Sequence, residues 1–269
     1  MHRGLYEAAS AMLVQETNLD VVTHNLANVD TPGYKRRVSA NADFSALMDR
    51  IEKVSEDAET KIATMMPADM PFKGRQLIGS LALAQIFSED VMDPFPGVIK
   101  TTENPLDITI DGPGFFSVAD GNGNTFYTRS GNFTLNNDGA MVTPNGMTLQ
   151  GEGGEITIPA TANSVTIMRD GRVVADNAVV GQVVVYNFEK PTYLKHEARN
   201  LLTPTQESGD AEQVENVKIW SSCLEMSNVE VVTEMVRMIE AQRAYEGASK
   251  ALMTHDEQTQ KLITSYSRG

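Results

Sequence analysis

A single cysteine in 269 residues means that this fold cannot rest on an intrachain disulfide. No window approaches 18 uninterrupted apolar residues, so no membrane-spanning helix is expected. Bases are scarce as well: 22 Lys and Arg stand against 36 Asp and Glu, a formal charge of -14. That balance argues against general nucleic-acid binding, which needs cationic side chains to displace phosphate counterions. The first residues, Met1-His2-Arg3-Gly4, run directly into mixed polar and apolar residues without a signal-peptide core. Any export is therefore expected to proceed without a cleavable signal.

Recognisable catalytic spacings are absent too. The histidines His2, His24, His196 and His255 are scattered, with no His-x-x-x-His or Cys-x-x-Cys interval, and read as surface residues. There is no Gly-x-Ser-x-Gly elbow, and Cys223 has no base near it in sequence. Asp107, Asp111, Asp120 and Asp138 offer a paper pairing for a glycosidase, but all except Asp107 adjoin or sit among glycines, where Asp serves turn geometry. "DGPGFF" and "DGNGN" precede no helix that could face a phosphate. Asp120-Gly-Asn-Gly-Asn124 has the oxygen spacing of a partial calcium loop without its trailing Glu. No catalytic, cofactor or metal site is expected.

What is present is a change of period along the chain. Leu5, Met12, Leu19 and Leu26 are seven apart, with Ala8, Val22 and Val29 three residues beyond their partners. This is the ladder of a coiled-coil seam, although Gln15 interrupts it and a wider bundle stripe fits equally. At the other end Leu224, Val231, Met238, Tyr245 and Leu252 repeat the spacing, and Ser227 followed by Glu230 has the form of a capping box. These residues predict a long helix from near Ser227 to about Ile263, and it needs a partner along its flank. Phe44, Leu47, Ile51, Val54, Ala58 and Ile62 mark a further helix over residues 43 to 66, ended by "MMPADMPFKG".

Between the ends the period becomes two. "GFFSVADGNGNTFYTRSGNFTLNNDGAMVTPNGMTLQ" divides short β-rich runs with residues that tolerate positive φ, as hairpin turns require. Further strands are expected at 155–158, 164–168, 172–175 and 182–188. The fold class is α+β: an all-β, hairpin-rich central domain inserted between N- and C-terminal helices that form a coiled-coil-like layer. Its divisions are 1–35 (helix and turn), 36–70 (helical linker or arm), 71–220 (β domain) and 221–269 (C-terminal helix). The seam could close within one molecule or between copies.

"HNLANVDTPGYKRR" carries the chain out of the first helix. Leu26 and Val29 continue the seam, Asn25 and Asn28 offer amides, and Thr31, Pro32 and Gly33 suit a type II reversal after the helix ends near 28–30. Lys35, Arg36 and Arg37 are expected to pair with acidic faces of a neighbour or to stay solvated.

"NLANVDTPGYKR" resembles the N-terminal signature of the bacterial flagellar rod and hook family of axial proteins, with His24 where the pattern has Asn. "NPLDITIDGPGFFSV" is similar to that family's entry into its β domain, and "SNVEVVTEMVRMIEAQRAYEGASKALMTHDE" to its C-terminal helix, with Gly247 a departure. Within the family the single β domain and "ANADFSALMDRI" look like the rod proteins, leaning to the distal rod. The resemblance implies a non-enzymatic basal-body subunit in the periplasm, exported by the flagellar type III apparatus. It would assemble with copies of itself and other axial proteins, inside a surrounding ring bushing, into a tube that transmits torque and houses the export channel. Leu5, Met12, Leu19, Leu26, Val231, Met238, Tyr245 and Leu252 would then be subunit-packing residues. Asn25, Asn28, Thr31, Pro32 and Gly33 would set the turn. The alternatives are a proximal rod or hook-type subunit. In another class stands a secreted β-domain glycan-binding module, with Phe115, Phe116, Phe126, Tyr127 and Phe133 on its hairpin face, and a glycosidase using Asp107 and Asp111 comes third.

Overall fold

The computed structural model describes residues 2–43, 85–159, 162, 164–176, 178–197, 200–215 and 217–266. The helix expected over 43–66 lies almost wholly outside them. Two compact units divide the chain: one of Met1–Val22, Ser39–Asp90 and Val236–Gly269, the other of Thr23–Val38 and Val91–Met235.

Helix α1 spans His2–Ala27, and the chain leaves its turn as strand β1, Arg37–Asp43, which pairs with β2, Gln85–Met92. Strands β3 to β19 come next, then helix α2, Val231–Tyr266, 36 residues long. A β-rich centre between two terminal helices is the α+β arrangement that the change of period predicted.

The central sheet is antiparallel and is organised around β5, Phe115–Ala119. One edge of β5 pairs with β6, Thr125–Thr128; its other edge takes β14, Val185–Asn187, near Phe116 and β9, Thr148–Gly151, near Val118. Consecutive side chains of a strand point to opposite faces, so the pair Phe115-Phe116 is divided between two cores. Phe116 and Val118 join Phe133, Met141, Leu149 and Ile108, with Phe116 and Phe133 edge to face at 5.6 Å. Phe115 joins Met92, Tyr127, Phe188, Leu194 and Leu202 on the other side. Burying a phenylalanine contributes roughly 2–3 kcal/mol, so covering both faces uses the apolar content twice. The aromatics that a glycan-binding face would need are therefore core: Phe115, Phe116, Tyr127 and Phe133 are buried and Phe126 packs against the larger cluster.

The expected turns form as hydrogen-bonded loops. In 136–140 the Asn136 side chain accepts the amides of Asp138 and Ala140, and Gly139 takes φ +81°. Asp120 accepts the amides of Asn122 and Asn124, and the Asn124 side-chain amide, ahead of the backbone bonds, holds its carboxyl below the usual range. Here aspartate serves as the turn residue. Three smaller pairings complete the β structure: β11–β12–β13 (Val165–Ile167, Arg172–Ala175, Ala178–Gln182), β18 (Ile219–Ser221) with β4 (Ile108–Ile110), and β19 (Cys223–Glu225) with β3 (Ile99–Thr101).

The start of α2 differs from the expectation. Leu224 belongs to strand β19, paired with Lys100, rather than to the helical ladder. The Ser227 hydroxyl accepts the Val229 amide, a local turn that competes with helix at that residue. Glu230 is the capping residue: its carbonyl accepts the Glu234 amide and its carboxylate accepts the Thr233 hydroxyl at 2.7 Å. A carboxylate there also suits the positive end of the helix dipole.

Candidate functional site: the junction under the helix-ending turn

Residues 28–34 close in two steps after α1. Asn28 Nδ2 donates to His24 O, its Oδ1 accepts the Thr31 hydroxyl, and the Tyr34 amide reaches back to Thr31 O. Gly33, third in that last turn, has φ +68°, as a type II reversal demands. Its amide donates to Glu225 O at 2.7 Å. A Cβ added there would stand 2.3 Å from Ser130 N, so glycine is required by space as well as by conformation. Pro32 O accepts Asn200 Nδ2 at 3.0 Å.

Asn25 is the polar centre of this junction and is 1% exposed. Its Oδ1 accepts the Arg37 amide (2.9 Å) and the Tyr34 hydroxyl (3.1 Å), and its Nδ2 donates to Arg37 O (2.8 Å) and Glu234 (3.3 Å). Two acceptances and two donations saturate a carboxamide. Aspartate could make only the first two bonds and would set a second carboxylate beside Glu234. Burial, offset by Arg37 and reinforced by Glu234, pushes the Tyr34 phenol up to about 12, so it remains a donor throughout the physiological range.

Two of the three bases after the turn, Lys35 and Arg36, pair inside the chain, not with a neighbour or solvent as expected. Lys35 Nζ is buried against Glu225 at 2.5 Å and also donates to Phe95 O. Arg36 pairs with Asp93 at 2.9 Å and lies 3.8 Å from Glu234. Burial draws Lys35 below its ordinary value even with Glu225 beside it. For Glu225 burial acts upward, but the Arg129 and Lys35 cations hold its carboxyl below the usual range.

Glu225 and Arg129 escaped the sequence reading. Glu225 also accepts Arg129 Nε at 2.6 Å and the Gly97 amide at 3.0 Å. The same guanidinium donates to the carbonyls of Gly114, Ile110 and Gly112. Lys35, Arg129 and Glu225 are each under 7% exposed, so this is a buried ionic triad. The available signal was a lone acid in "CLEM" and a lone base in "YTRS", each in a β-type run.

His196 corrects the reading of every histidine as a surface residue. Burial, then Arg37 and His24, lowers it to about 4, and its ring lies 6.0 Å from Tyr34. It lines a cavity of about 510 Å³ with Asn28, Tyr34, Ser130 and Asn200. Asp107 is buried and accepts Asn104 Nδ2, a turn contact. Among the described residues no cluster of His, Cys, Asp and Glu could hold a metal.

The seam residues stand on the helices as follows. On α1 Met12, Leu19 and Leu26 are half-buried beside the buried Val14 and Val21, and the Leu5 side chain is outside those described. On α2 Met238, Tyr245 and Leu252 share the less exposed stripe with Glu234, Ala241 and Ala248, at alternating intervals of four and three. Val231 is exposed.

Comparison with known proteins now bears on this architecture. Three family models match in chain order: "Flagella basal body rod protein" over residues 5–35, "Flagellar hook protein FlgE/F/G D1 domain" over 109–175, and "Flagellar basal body rod FlgEFG protein C-terminal" over 221–265. The flagellar basal-body rod protein FlgG of Agrobacterium fabrum is 34% identical, covering 95% of this chain and 96% of that one. The chain belongs to the flagellar basal-body rod protein family. FlgG of Bacillus subtilis is also 34% identical over 98% of both chains, and FlgF of Caulobacter vibrioides 31% over 94% of this chain and 93% of its own. Rod proteins are structural, non-enzymatic subunits of the flagellar basal body. The first rod model ends at residue 35, and the C-terminal model begins at 221. Both halves of the Lys35–Glu225 pair thus lie within rod-family sequence. Among the described residues no helix is long and apolar enough to cross a membrane.

Proposed function

We propose that this chain is a distal rod subunit, which polymerises into the periplasmic drive shaft that transmits torque and surrounds the export channel. The supporting observation is near full-length similarity to several proteins named FlgG. In this reading the flagellar type III apparatus exports the chain and a ring bushing encloses the rod. The working divisions are 1–35, 36–70, 71–220 and 221–269. Leu5, Met12, Leu19, Leu26, Val231, Met238, Tyr245 and Leu252 pack the coiled-coil-like layer between subunits. Asn25, Asn28, Thr31, Pro32 and Gly33 turn the chain from that layer toward the β domain. The FlgF relative favours a proximal position as the second reading.

Electron microscopy of isolated basal bodies carrying a label on this chain tests the position. Label on the distal segment is expected; label confined to the proximal segment overturns the distal assignment. For the seam, Met238→Asp places a carboxylate on the α2 stripe. The β domain is expected to keep its urea midpoint while rods fail to form, and normal rods from that variant would refute the seam.

A further inference from the structure

Among the large apolar side chains left in water, two groups differ in kind. Between β2 and β3, Phe95 is 73% exposed and Val98 76%, and Ile99, opening β3, is 51% exposed. The backbone under them is tied down. Phe95 O accepts Lys35 Nζ (2.8 Å) and Asn228 Nδ2 (3.0 Å), the Gly97 amide donates to Glu225, and Val98 O accepts the Met226 amide. A Cβ at Gly97 would come within 1.9 Å of Met226 O, so this strap lies directly on its neighbour. Buried polar groups hold the strap still, and its apolar side chains face outward. Such a surface is already ordered before it meets anything.

On α2, Val232, Val236 and Ile239 are 68%, 50% and 52% exposed and recur at i, i+4 and i+7. At 100° per residue they lie nearly opposite the Met238 stripe. Past Ile239 this face turns charged, with Arg243, Glu246 and Lys250. The apolar patch is therefore about two turns long, comparable to a strap of five residues.

An open helical polymer is built from heterologous contacts, in which one patch of a copy meets a different patch of the next. Charge favours joining these two. Lys100 comes directly after Ile99, Glu240 stands one turn after Val236, and neither has an ion-pair partner among the described residues. We propose that the Phe95–Ile99 strap of one copy docks on the Val232–Ile239 stripe of a second copy, with Lys100 against Glu240. This rests on the reading that the chain self-assembles.

The full-length chain, replacing the rod subunit of its flagellate host, provides the test. With Phe95→p-benzoylphenylalanine, irradiated basal bodies are expected to yield a dimer-sized adduct joining residue 95 to residues 232–243 of another copy. Assembled rods whose adduct lies elsewhere, or on a different protein, overturn the contact and leave the assembly reading intact. Lys100→Glu and Glu240→Lys are each expected to reduce rod number at least tenfold and, combined, to restore it. Normal rods from either single variant, or no recovery in the double, overturn it as well. If the wild-type chain is absent from basal bodies, the assembly reading falls and takes this contact with it.

Discussion

The β-rich unit and the terminal helices use the same apolar residue types in opposite ways. Around β5 nearly every large side chain is covered, the strand feeds two cores, and the buried cations Lys35 and Arg129 share the Glu225 carboxylate. Along α2, by contrast, Val232, Val236, Ile239, Met253 and Ile263 are at least half exposed. A helix with so little covered surface gains little from packing within its own chain. The β-rich unit covers its apolar surface within the chain, whereas α2 leaves much of its own exposed, as the proposed packing between copies would use.

The largest test of that contrast removes the charge at the centre of the junction. Glu225→Ala strips the carboxylate from two buried cations and leaves them uncompensated, a change that costs about 3–5 kcal/mol. An unfolding free energy lowered by that amount is expected, read as a lower urea midpoint at constant slope. A loss under 1 kcal/mol would mean that the triad is already solvated. Acid should find the next weakness. His196 titrates near 4 in the folded chain against 6.5 unfolded, so between those values the unfolded state binds more protons. Stability therefore falls as pH drops through 6.5 and stops falling from this source below about 4, by up to roughly 3 kcal/mol at 1.36 per unit. Urea titrations at pH 7.5 and 4.5 measure it. His196→Phe should flatten the difference, and an unchanged profile in that variant would show that other groups carry it.

Gly33→Ala is a smaller, local break. Positive φ costs an L-residue about 1–2 kcal/mol, and here the new methyl also meets the backbone at Ser130. A loss of about 2 kcal/mol or more by thermal or urea unfolding is expected, since the clash adds to the conformational cost. If the variant were as stable as wild type, the left-handed turn would have an alternative path.

The part of this architecture written most plainly in the sequence was the part that depends on neighbouring residues. Alternation across 114–150 and the Thr31-Pro32-Gly33 reversal are local signals that reappear in the structure, whereas of the C-terminal ladder only Met238, Tyr245 and Leu252 share one half-buried stripe of α2, with Leu224 in a strand and Val231 exposed. Helix α2 nevertheless begins at Val231 and not near Ser227, because the pairing of Leu224 with Lys100 draws residues 223–225 into a strand. That pairing joins segments more than 120 residues apart. The same limit hid the junction. Lys35, Arg129 and Glu225 have no sequence spacing in common, and an isolated charge in a polar chain reads as solvated until the fold encloses it. His196 was misread for the same reason, since one imidazole carries no sign of its burial.

The smallest expected effect sharpens the comparison from the helical side. Leu13 on α1 is 64% exposed while its neighbour Val14 is 2% exposed. Truncating Leu13 to serine removes a side chain that is already largely in water, so the monomer should change by no more than about 0.5 kcal/mol. Val14→Ser takes apolar surface from a covered site and places a hydroxyl there, and should cost about 2 kcal/mol or more. Unfolding of the two variants side by side measures the difference, and counts of assembled rods measure the rest. If α1 keeps its outward face for other copies, Leu13→Ser lowers rod number without moving the unfolding midpoint. A matched fall in both quantities would show that Leu13 is covered in the isolated chain, and the division between a stable β unit and assembly-directed helices would lose its support at that position.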